Sequence, residues 1–255
     1  MRIAVVLTDL DGTLLEPDGS TTAEAAAALA WLSSADVPVV AVTSKTPAEL
    51  AELTRALPLS AYAGFENGAG VTLPGGIVQL APAAVPAADL AAVARALAAA
   101  TGAPLRALPD LDDGELAACT GLSGSALAAA RERRATLPLF VDPHWDDALR
   151  AALPAAPALR LVRGNRFLHL QGNHDKADVT GRLLELVGRG AGVVVALGDA
   201  PNDAGLLAAA DVAVIVPSSK GPHPELRRRF PAALVAPLPH GRGWARAVRA
   251  LAGTA

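Results

Sequence analysis

Two short apolar runs lie near opposite ends of the chain, and each is followed at once by a cluster of aspartates. The runs cover residues 3–7 and 193–197, and the clusters cover residues 9–13 and 198–203. Continuous β-branched runs bounded by Gly and Asp are typical of parallel strands that are buried on both faces. In an open α/β sheet, ligands bind at the carboxyl ends of such strands. The sequence therefore predicts that the two aspartate clusters meet in one site.

The elements around these runs predict one parallel sheet flanked by helices. Helix and strand patterns alternate over the first 75 residues and again after residue 175. The predicted helices cover residues 22–34, 47–55, 176–187, 204–208 and 244–252, and the further strands cover residues 37–42 and 212–216. Right-handed crossovers place such helices on both faces of a sheet. The expected fold class is α/β, with a parallel sheet built from both ends of the chain.

The middle of the chain has a different character, with short strand patterns and two helical stretches. The predicted strands cover residues 76–80, 138–141, 159–162 and 167–170, and the last two are expected to form a hairpin. Such a mixture is typical of a small α+β domain. We therefore predict a core domain of residues 1–75 and 173–255 and an inserted domain of residues 76–172.

Composition and charge argue against several classes of protein. The 22 basic and 25 acidic residues are interspersed, which argues against a nucleic-acid-binding surface. The single cysteine, Cys119, excludes an internal disulfide framework and fits a reducing compartment. The alanine-rich segment 81–100 is interrupted by Pro82, Asp89 and other residues, which favours an amphipathic helix over a membrane span. We expect a cytoplasmic protein that binds a small molecule and neither nucleic acid nor membrane.

Asp9 and Asp11 lie two residues apart after a strand, so their side chains point to the same side. Taken alone, the pair also fits an ordinary turn, in which Asp and Gly are common. A second pair, Asp199 and Asp203, raises the negative charge to a level that calls for Mg²⁺, which prefers oxygen ligands. We predict Asp9, Asp11 and Asp199 as metal ligands, with Asn202 and Asp203 in an outer shell or orienting a lysine.

The same groups fit phosphoryl chemistry. Asp9 is placed to attack a phosphoryl group and form an aspartyl-phosphate, which divides hydrolysis into two easier steps. Asp11 is placed to protonate the leaving alcohol and later to activate water. Lys176 can supply a compact positive charge for the transferred oxygens. Thr43, which follows the second strand, can supply a hydroxyl. Only three lysines stand beside nineteen arginines, which indicates that Lys45 and Lys176 are needed as point charges.

Four ordered segments resemble the motifs of haloacid dehalogenase-superfamily phosphatases. They are residues 9–13 (Asp-Leu-Asp-Gly-Thr), residues 43–46 (Thr-Ser-Lys-Thr), Lys176, and residues 198–203 (Gly-Asp-Ala-Pro-Asn-Asp). The resemblance implies a Rossmann-like core and a Mg²⁺-dependent phosphomonoesterase, with Asp9, Asp11, Thr43 and Lys176 as its catalytic residues. The insertion between the second and third motifs resembles the α+β cap, of the C2B type, of the Cof-type branch.

Within that branch, further segments resemble the mannosyl-3-phosphoglycerate phosphatase family. They are residues 43–46, 65–69, 164–170 with Gly172 and 175–176, and 241–244. The resemblance implies hydrolysis of 2-O-mannosyl-3-phosphoglycerate to mannosylglycerate and phosphate. A phosphatase of the glucosyl-3-phosphoglycerate or sucrose-phosphate type remains an alternative, as does a phosphomannomutase-like isomerase that shares the nucleophile. A mutase returns the phosphoryl group to a sugar, so release of free phosphate separates the two.

Substrate choice is expected to come from groups that reach the leaving alcohol. A glycosylglycerate carries a carboxylate, for which arginine offers a bidentate partner. The candidates in the insertion are Arg131, Arg133, Arg134 and Arg166, although arginines also serve simply to keep a helix soluble. The expected substrate-binding residues are Ser44, Lys45, Glu66, Asn67, Arg131, Arg134 and Arg166. The histidines show no zinc pattern, and His169 and His174 are expected to be structural.

Overall fold

The computed structural model describes residues 1–155, 158–164 and 166–253, so Asn165 of the segment 164–170 lies outside the described residues. The strands are β1 (Ile3–Thr8), β2 (Val39–Ala41), β3 (Ala63–Phe65), β4 (Gly70–Leu73), β5 (Ile77–Leu80), β6 (Arg106–Ala107), β7 (Thr136–Phe140), β8 (Leu159–Arg163), β9 (Leu168–Gly172), β10 (Val193–Gly198), β11 (Val212–Ile215) and β12 (Leu234–Val235). The helices are α1 (Ala23–Ser34), α2 (Pro47–Ala56), α3 (Ala87–Thr101), α4 (Asp113–Thr120), α5 (Ser125–Arg131), α6 (Asp146–Ala151), α7 (Lys176–Val187), α8 (Ala204–Ala208), α9 (Pro224–Arg229) and α10 (His240–Leu251).

The central sheet is parallel and has the strand order β12-β11-β10-β1-β2 in the described part of the chain. Helices cover both faces, so the inner strands are almost entirely buried. Leu29 of α1 and Trp244 of α10 pack on one face, and Leu183 of α7 and Leu206 of α8 pack on the other. The predicted α/β class, with a Rossmann-like parallel sheet built from both ends of the chain, is confirmed.

Two antiparallel sheets follow α2. One has the order β3-β4-β5, and the other has the order β6-β7-β9-β8. The second sheet packs against α3 and α6 through a separate apolar cluster that includes Leu90, Leu149 and Leu170. We call the unit from α3 to β9 (residues 87–172) the cap. The pairing of β8 with β9 confirms the predicted hairpin.

The predicted domain boundary at residues 75 and 76 lies in the 3₁₀ turn Pro74–Gly76, between two strands that pair with each other. The three-stranded sheet therefore crosses that boundary. The division into a core of residues 1–75 and 173–255 and an insertion of residues 76–172 stays a prediction.

The alanine-rich segment contributes α3, an amphipathic helix of the cap. Leu90, Ala94 and Leu97 recur at helical spacing and are buried, while the opposite side of the helix faces solvent. Among the described residues, none of the helices combines the length and the apolar character that crossing a membrane requires.

Candidate active site

The two aspartate clusters meet because β1 and β10 are neighbouring parallel strands. Thr8 pairs with Leu197, and the Asp9 amide continues the ladder by donating to the Leu197 carbonyl at 3.0 Å. Asp9 and Asp199 are therefore the first residues beyond the ends of adjacent strands. The Thr13 hydroxyl donates to Asp199 Oδ1 at 2.9 Å and so joins the loop after β1 to the loop after β10.

Lys176 connects the two clusters through its ammonium group. It is the first residue of α7, which the Asp175 side chain caps by accepting the Ala177 amide at 2.8 Å. Lys176 Nζ lies 2.6 Å from Asp9 Oδ1 and 2.6 Å from Asp203 Oδ1, and the lysine is fully buried. A buried ammonium is tolerated only when it is paired. Burial lowers the pKa of Lys176, but the two carboxylates raise it above its usual value, so the group stays charged.

Asp203 orients Lys176 and also shapes the loop that carries Asp199. Asp203 Oδ1 accepts the ammonium, while Oδ2 accepts the amides of Asp199 at 2.8 Å and Ala200 at 2.9 Å. A Cβ atom at Gly198 would lie 2.5 Å from the Asp203 Cβ, so only glycine fits there. Asp203 thus lies where a lysine-orienting residue is expected from the sequence.

The environment of Asp9 is strongly negative. Burial raises the pKa of Asp9 to about 7, Asp203 and Asp11 add to the rise, and Lys176 opposes it. One oxygen from each of Asp9, Asp199 and Asp203 lies within 4.8 Å of the others. Three carboxylates around one ammonium leave negative charge that a cation can neutralise. The group therefore fits a hard divalent ion with oxygen ligands.

Asp11 has a different partner. Its Oδ1 lies 2.9 Å from the ammonium nitrogen of Lys45, which also lies 3.4 Å from Glu49 Oε1. Burial raises the pKa of Asp11, but Lys45, Arg166 and Lys176 bring it below its usual value. The carboxylates that approach one another are thus Asp9, Asp199 and Asp203. The Asp11 side chain pairs with Lys45, and its role as a metal ligand stays a prediction.

The segment after β2 supplies the next part of the site. Thr43 is fully buried, and its hydroxyl accepts the Lys45 amide at 3.2 Å. Ser44 and Lys45 line the cavity described below. Thr46 then caps α2 in the capping box with Glu49, and its hydroxyl also donates to the Ala129 carbonyl of the cap at 2.8 Å. Residues 43–46 therefore lie at the sheet edge and touch the cap.

A cavity of about 260 Å³ lies between this sheet edge and the cap. The core contributes mostly charged or polar lining residues, which are Asp9, Asp11, Gly12, Pro17, Ser44, Lys45, Glu49, Asp199, Asn202, Ser218 and His240. The cap contributes cationic and apolar lining residues, which include Leu108, Thr120, Leu122, Ala130, Arg133, Gly164, Arg166, Phe167 and His169. The shape and polarity fit a small anion joined to a larger polar group that has an apolar face.

The structure separates the four candidate arginines. Arg133 and Arg166 line the cavity, and they reach core carbonyl groups: Arg133 Nη1 donates to the Ser44 carbonyl at 2.6 Å, and Arg166 Nη2 donates to that of Pro17. Arg131 instead binds inside the cap, to the carbonyls of residues 108 and 111 and to Asp113. Arg134 is exposed. Arg131 and Arg134 are thus not among the residues that line the cavity, and their role in substrate binding stays a prediction.

Glu66 and Asn67, which were also predicted to bind substrate, lie outside the cavity lining. The Glu66 carboxylate is fully buried and accepts hydrogen bonds from residues 134–136 of the cap. Asn67 donates to Gln171 Oε1 at 3.2 Å and accepts from Asn202 Nδ2 at 3.2 Å. Both side chains are held in contacts between core and cap, and their role in substrate binding stays a prediction.

His169 is a cavity residue that sequence reasoning missed. Burial lowers the pKa of His169 to about 3, and Arg133, Lys176 and Arg163 contribute, so the imidazole is neutral. The signal was available in the alternation along β9: His169 points away from the side occupied by Leu168 and Leu170. His240 also lines the cavity, and its Nδ1 lies 3.0 Å from the Gly12 carbonyl oxygen.

Comparisons with known proteins agree with this geometry. A family model described as haloacid dehalogenase-like hydrolase matches residues 6–81. The chain is 24% identical over 262 residues to a glucosyl-3-phosphoglycerate/mannosyl-3-phosphoglycerate phosphatase of Persephonella marina, and the match covers 94% of each chain.

Solved structures show the same fold. An enzyme of Bacteroides thetaiotaomicron, described among phosphatases of the haloalkanoate dehalogenase superfamily, has a TM-score of 0.73 at 20% identity, over 99% of this chain and 96% of that one. A sugar phosphatase of haloacid dehalogenase subclass IIB has a TM-score of 0.74 at 15% identity, over 98% and 99%. A haloacid dehalogenase-like hydrolase from B. subtilis has a TM-score of 0.71 at 18% identity, over 98% and 100%.

Proposed function

We propose that this chain is a phosphomonoesterase of the haloacid dehalogenase superfamily and that it hydrolyses mannosyl-3-phosphoglycerate to mannosylglycerate and phosphate. The main support for the chemistry is the buried arrangement of Asp9, Lys176 and Asp203, together with the Asp11–Lys45 pair, which lines the same cavity as Asp9. The similarity to the Persephonella marina enzyme supports the substrate.

Asp9 acts as the nucleophile. An Asp9 oxygen attacks phosphorus, the bond from phosphorus to the leaving oxygen breaks, and Asp11 gives a proton to that oxygen. In the free protein Lys45 favours the ionised form of Asp11. A phosphate monoester in the cavity competes for Lys45 and adds negative charge beside Asp11, which raises the pKa of Asp11, so that Asp11 takes up a proton from solvent.

The second step reverses the roles of Asp11. The aspartyl-phosphate on Asp9 is attacked by water, and Asp11, now ionised, accepts the water proton. Phosphate leaves, and the Asp9 carboxylate is restored. Lys176 stays charged throughout, because its two carboxylate partners raise its pKa, and it balances the charge that develops beside Asp9.

Mg²⁺ is the proposed cofactor because three carboxylate oxygens converge beside the nucleophile. Asp9 and Asp199 would hold the ion, with Asp203 next to them. The ion would supply positive charge for the transferred phosphate oxygens. In this assignment Asp203 keeps Lys176 in place, since both of its oxygens already accept hydrogen bonds.

The lining residues that the cap contributes suit a glycosylglycerate leaving group. Arg166 and Arg133 offer planar donors for the glycerate carboxylate. The neutral imidazole of His169 can hydrogen bond with a sugar hydroxyl, and Phe167 offers an apolar surface to the sugar ring. A glucosyl analogue carries the same groups, so it is the second substrate that we propose to test.

A phosphate-release assay tests this function directly. Purified protein with Mg²⁺ would be offered mannosyl-3-phosphoglycerate, glucosyl-3-phosphoglycerate, sucrose phosphate, mannose phosphates and p-nitrophenyl phosphate. We expect the highest kcat/KM with one of the two phosphoglycerates. Conversion of a mannose phosphate into its isomer without release of phosphate would show a mutase instead.

A further inference from the structure

Glu66 is a buried carboxylate whose oxygens accept four hydrogen bonds from three consecutive cap residues. Oε1 accepts the Arg134 amide at 2.7 Å. Oε2 accepts the amides of Ala135 at 2.9 Å and Thr136 at 2.8 Å, together with the Thr136 hydroxyl at 2.8 Å. A carboxylate is tolerated in the interior when its oxygens are satisfied in this way. Glu66 therefore holds the start of β7 against the core.

Hydrogen bonds also fix Glu66 to residues 43–45, which follow β2. The Glu66 amide donates to the Lys45 carbonyl at 2.9 Å, and the Asn67 amide donates to the Thr43 carbonyl at 2.9 Å. Glu66 has φ of 46° and Asn67 has φ of 59°, a conformation that side chains other than glycine adopt only when their surroundings hold them there. The carboxylate of Glu66 is thus held in a fixed position relative to residues 43–45.

The Thr136 hydroxyl extends this connection to the cavity. It donates to Glu66 and accepts from Arg133 Nη1 at 3.4 Å. The same Nη1 donates to the Ser44 carbonyl at 2.6 Å, and Arg133 lines the cavity. Arg133 Nε also donates to the Ala130 carbonyl at 3.1 Å, so the Thr136 hydroxyl is one of three groups that hold the guanidinium in place.

We propose that Glu66 and Thr136 are positioning residues that hold Arg133 over the cavity and so favour substrates whose leaving group carries an anion. The identity of that substrate rests on the function proposed above, whereas the contact between Glu66 and residues 134–136 does not. Both residues act through Arg133 and would not touch the phosphoryl group.

Amide hydrogen exchange tests the contact without any substrate. In Glu66→Gln, the side-chain NH₂ group would face backbone N–H donors, so we expect the amides of residues 134–136 to exchange at least about 10-fold faster. The amides of β1 and β10 should exchange as in the unaltered protein. Unchanged protection of residues 134–136 in a folded Glu66→Gln protein would overturn the proposal.

Kinetics then test whether the effect passes through Arg133. We compare Thr136→Val, which loses the hydroxyl, with Thr136→Ser, which keeps it, by the ratio of kcat/KM for mannosyl-3-phosphoglycerate to that for p-nitrophenyl phosphate. Thr136→Val should lower the ratio about 3- to 10-fold, mainly through KM, as expected for one hydrogen bond. Thr136→Ser should keep the ratio of the unaltered protein.

A double-mutant cycle completes the test. In an Arg133→Ala background, Thr136→Val should lower the ratio no further, because the group it positions is gone. An equal loss with and without Arg133, or an equal loss on both substrates, would show that Thr136 does not act through Arg133. Glu115→Gln is the control, since Glu115 binds Arg106 and the Asp112 amide within the cap and should leave the ratio unchanged. If mannosyl-3-phosphoglycerate is not hydrolysed at all, the proposed function fails while the exchange result still decides the contact.

Discussion

Asp9 and Lys176 lie 167 positions apart in the chain, and their side chains meet at 2.6 Å in the interior. Neither group is stable there alone, because an isolated charge in a protein interior is costly. Together with Asp203 they form a paired set at the ends of β1 and β10. The residues that hold Asp9, the proposed nucleophile, in place therefore also help to join the two ends of the chain.

Replacement of the nucleophile should abolish hydrolysis without unfolding the protein. An amide at position 9 cannot attack phosphorus, and Lys176 keeps Asp203 as its partner, so Asp9→Asn should retain the native circular dichroism spectrum. Asp18→Asn, at an exposed side chain, serves as the control and should keep full activity. Phosphate release by Asp9→Asn above a blank would contradict the covalent mechanism.

Loss of Asp203 should damage both activity and stability. Asp203→Asn leaves the Lys176 ammonium with one carboxylate, as Asp9→Asn does, but it also puts an NH₂ group where Asp203 accepts either the ammonium or the amides of Asp199 and Ala200. Removal of one partner of a buried pair typically costs about 3–5 kcal/mol. We expect the free energy of unfolding, measured in urea, to fall by up to about 3–5 kcal/mol, and we expect kcat to fall as well. Asp147→Asn removes a fully exposed carboxylate and should change neither quantity. An Asp203→Asn protein as stable as the original would show that the lysine does not depend on this pair.

Removal of divalent ions should stop turnover. Treatment with EDTA should abolish phosphate release, and Mg²⁺ should restore it, because the carboxylates near Asp9 carry excess negative charge. Asp199→Ala should resemble the chelated enzyme even when Mg²⁺ is present. Isothermal titration of the two proteins with Mg²⁺ would give an independent reading of binding, and full activity after exhaustive chelation would refute the metal assignment.

Substitutions of Arg166 and Arg131 form a matched pair that tests substrate recognition, with Arg131 as the control. Arg166→Ala should lower kcat/KM for the glycosylglycerate substrate. The expected loss of transition-state stabilisation is about 2–4 kcal/mol, as for truncating one partner of a buried charge pair. Hydrolysis of p-nitrophenyl phosphate should change little. Arg131→Ala removes a cap arginine that lies away from the cavity and should leave the ratio of the two rates unaltered. Equal ratios in both variants would mean that Arg166 does not meet the leaving group.

His169 should make the protein sensitive to mild acid. Its pKa is about 3 when folded and about 6.5 when unfolded, so between these values the unfolded chain binds the proton and the folded chain does not. The free energy of unfolding should therefore be highest above pH 6.5 and fall as the pH drops, by about 2 kcal/mol from this residue at pH 5. In His169→Gln the free energy of unfolding, measured in urea, should fall by about 2 kcal/mol less between pH 7 and pH 5 than in the unaltered protein.

The location of the acidic site was predictable because it follows from general rules of sheets. Two apolar runs that end in aspartates must place Asp9 and Asp199 at one edge if the strands are parallel neighbours, and β1 and β10 are neighbours. The start of α2 was also predictable, because Pro47 and the capping box act locally. Such features need no knowledge of how distant parts of the chain pack.

Other contacts could not be predicted, because they depend on how the cap meets the core. Arg131 and Arg133 are two residues apart, but the first turns into the cap and the second reaches Ser44. The start of α10 was also missed: it begins at His240 and not at residue 244. The first turn of this helix contains Gly243, where a Cβ atom would lie 1.7 Å from the Leu238 carbonyl oxygen, so glycine is required for close packing.

The scarcity of lysine has a practical consequence for chemical labelling. Lys45 and Lys176 are buried, and although burial alone would lower their pKa values, their carboxylate partners raise them, so these amines stay protonated and unreactive. The third lysine, Lys220, is exposed and lies two residues from Ser218 at the cavity wall. Among the three lysines, an amine-reactive dye should therefore attach at Lys220. The dye on Lys220 would stand beside the cavity as a fluorescent reporter of ligand binding, while the two lysines of the site stay unmodified.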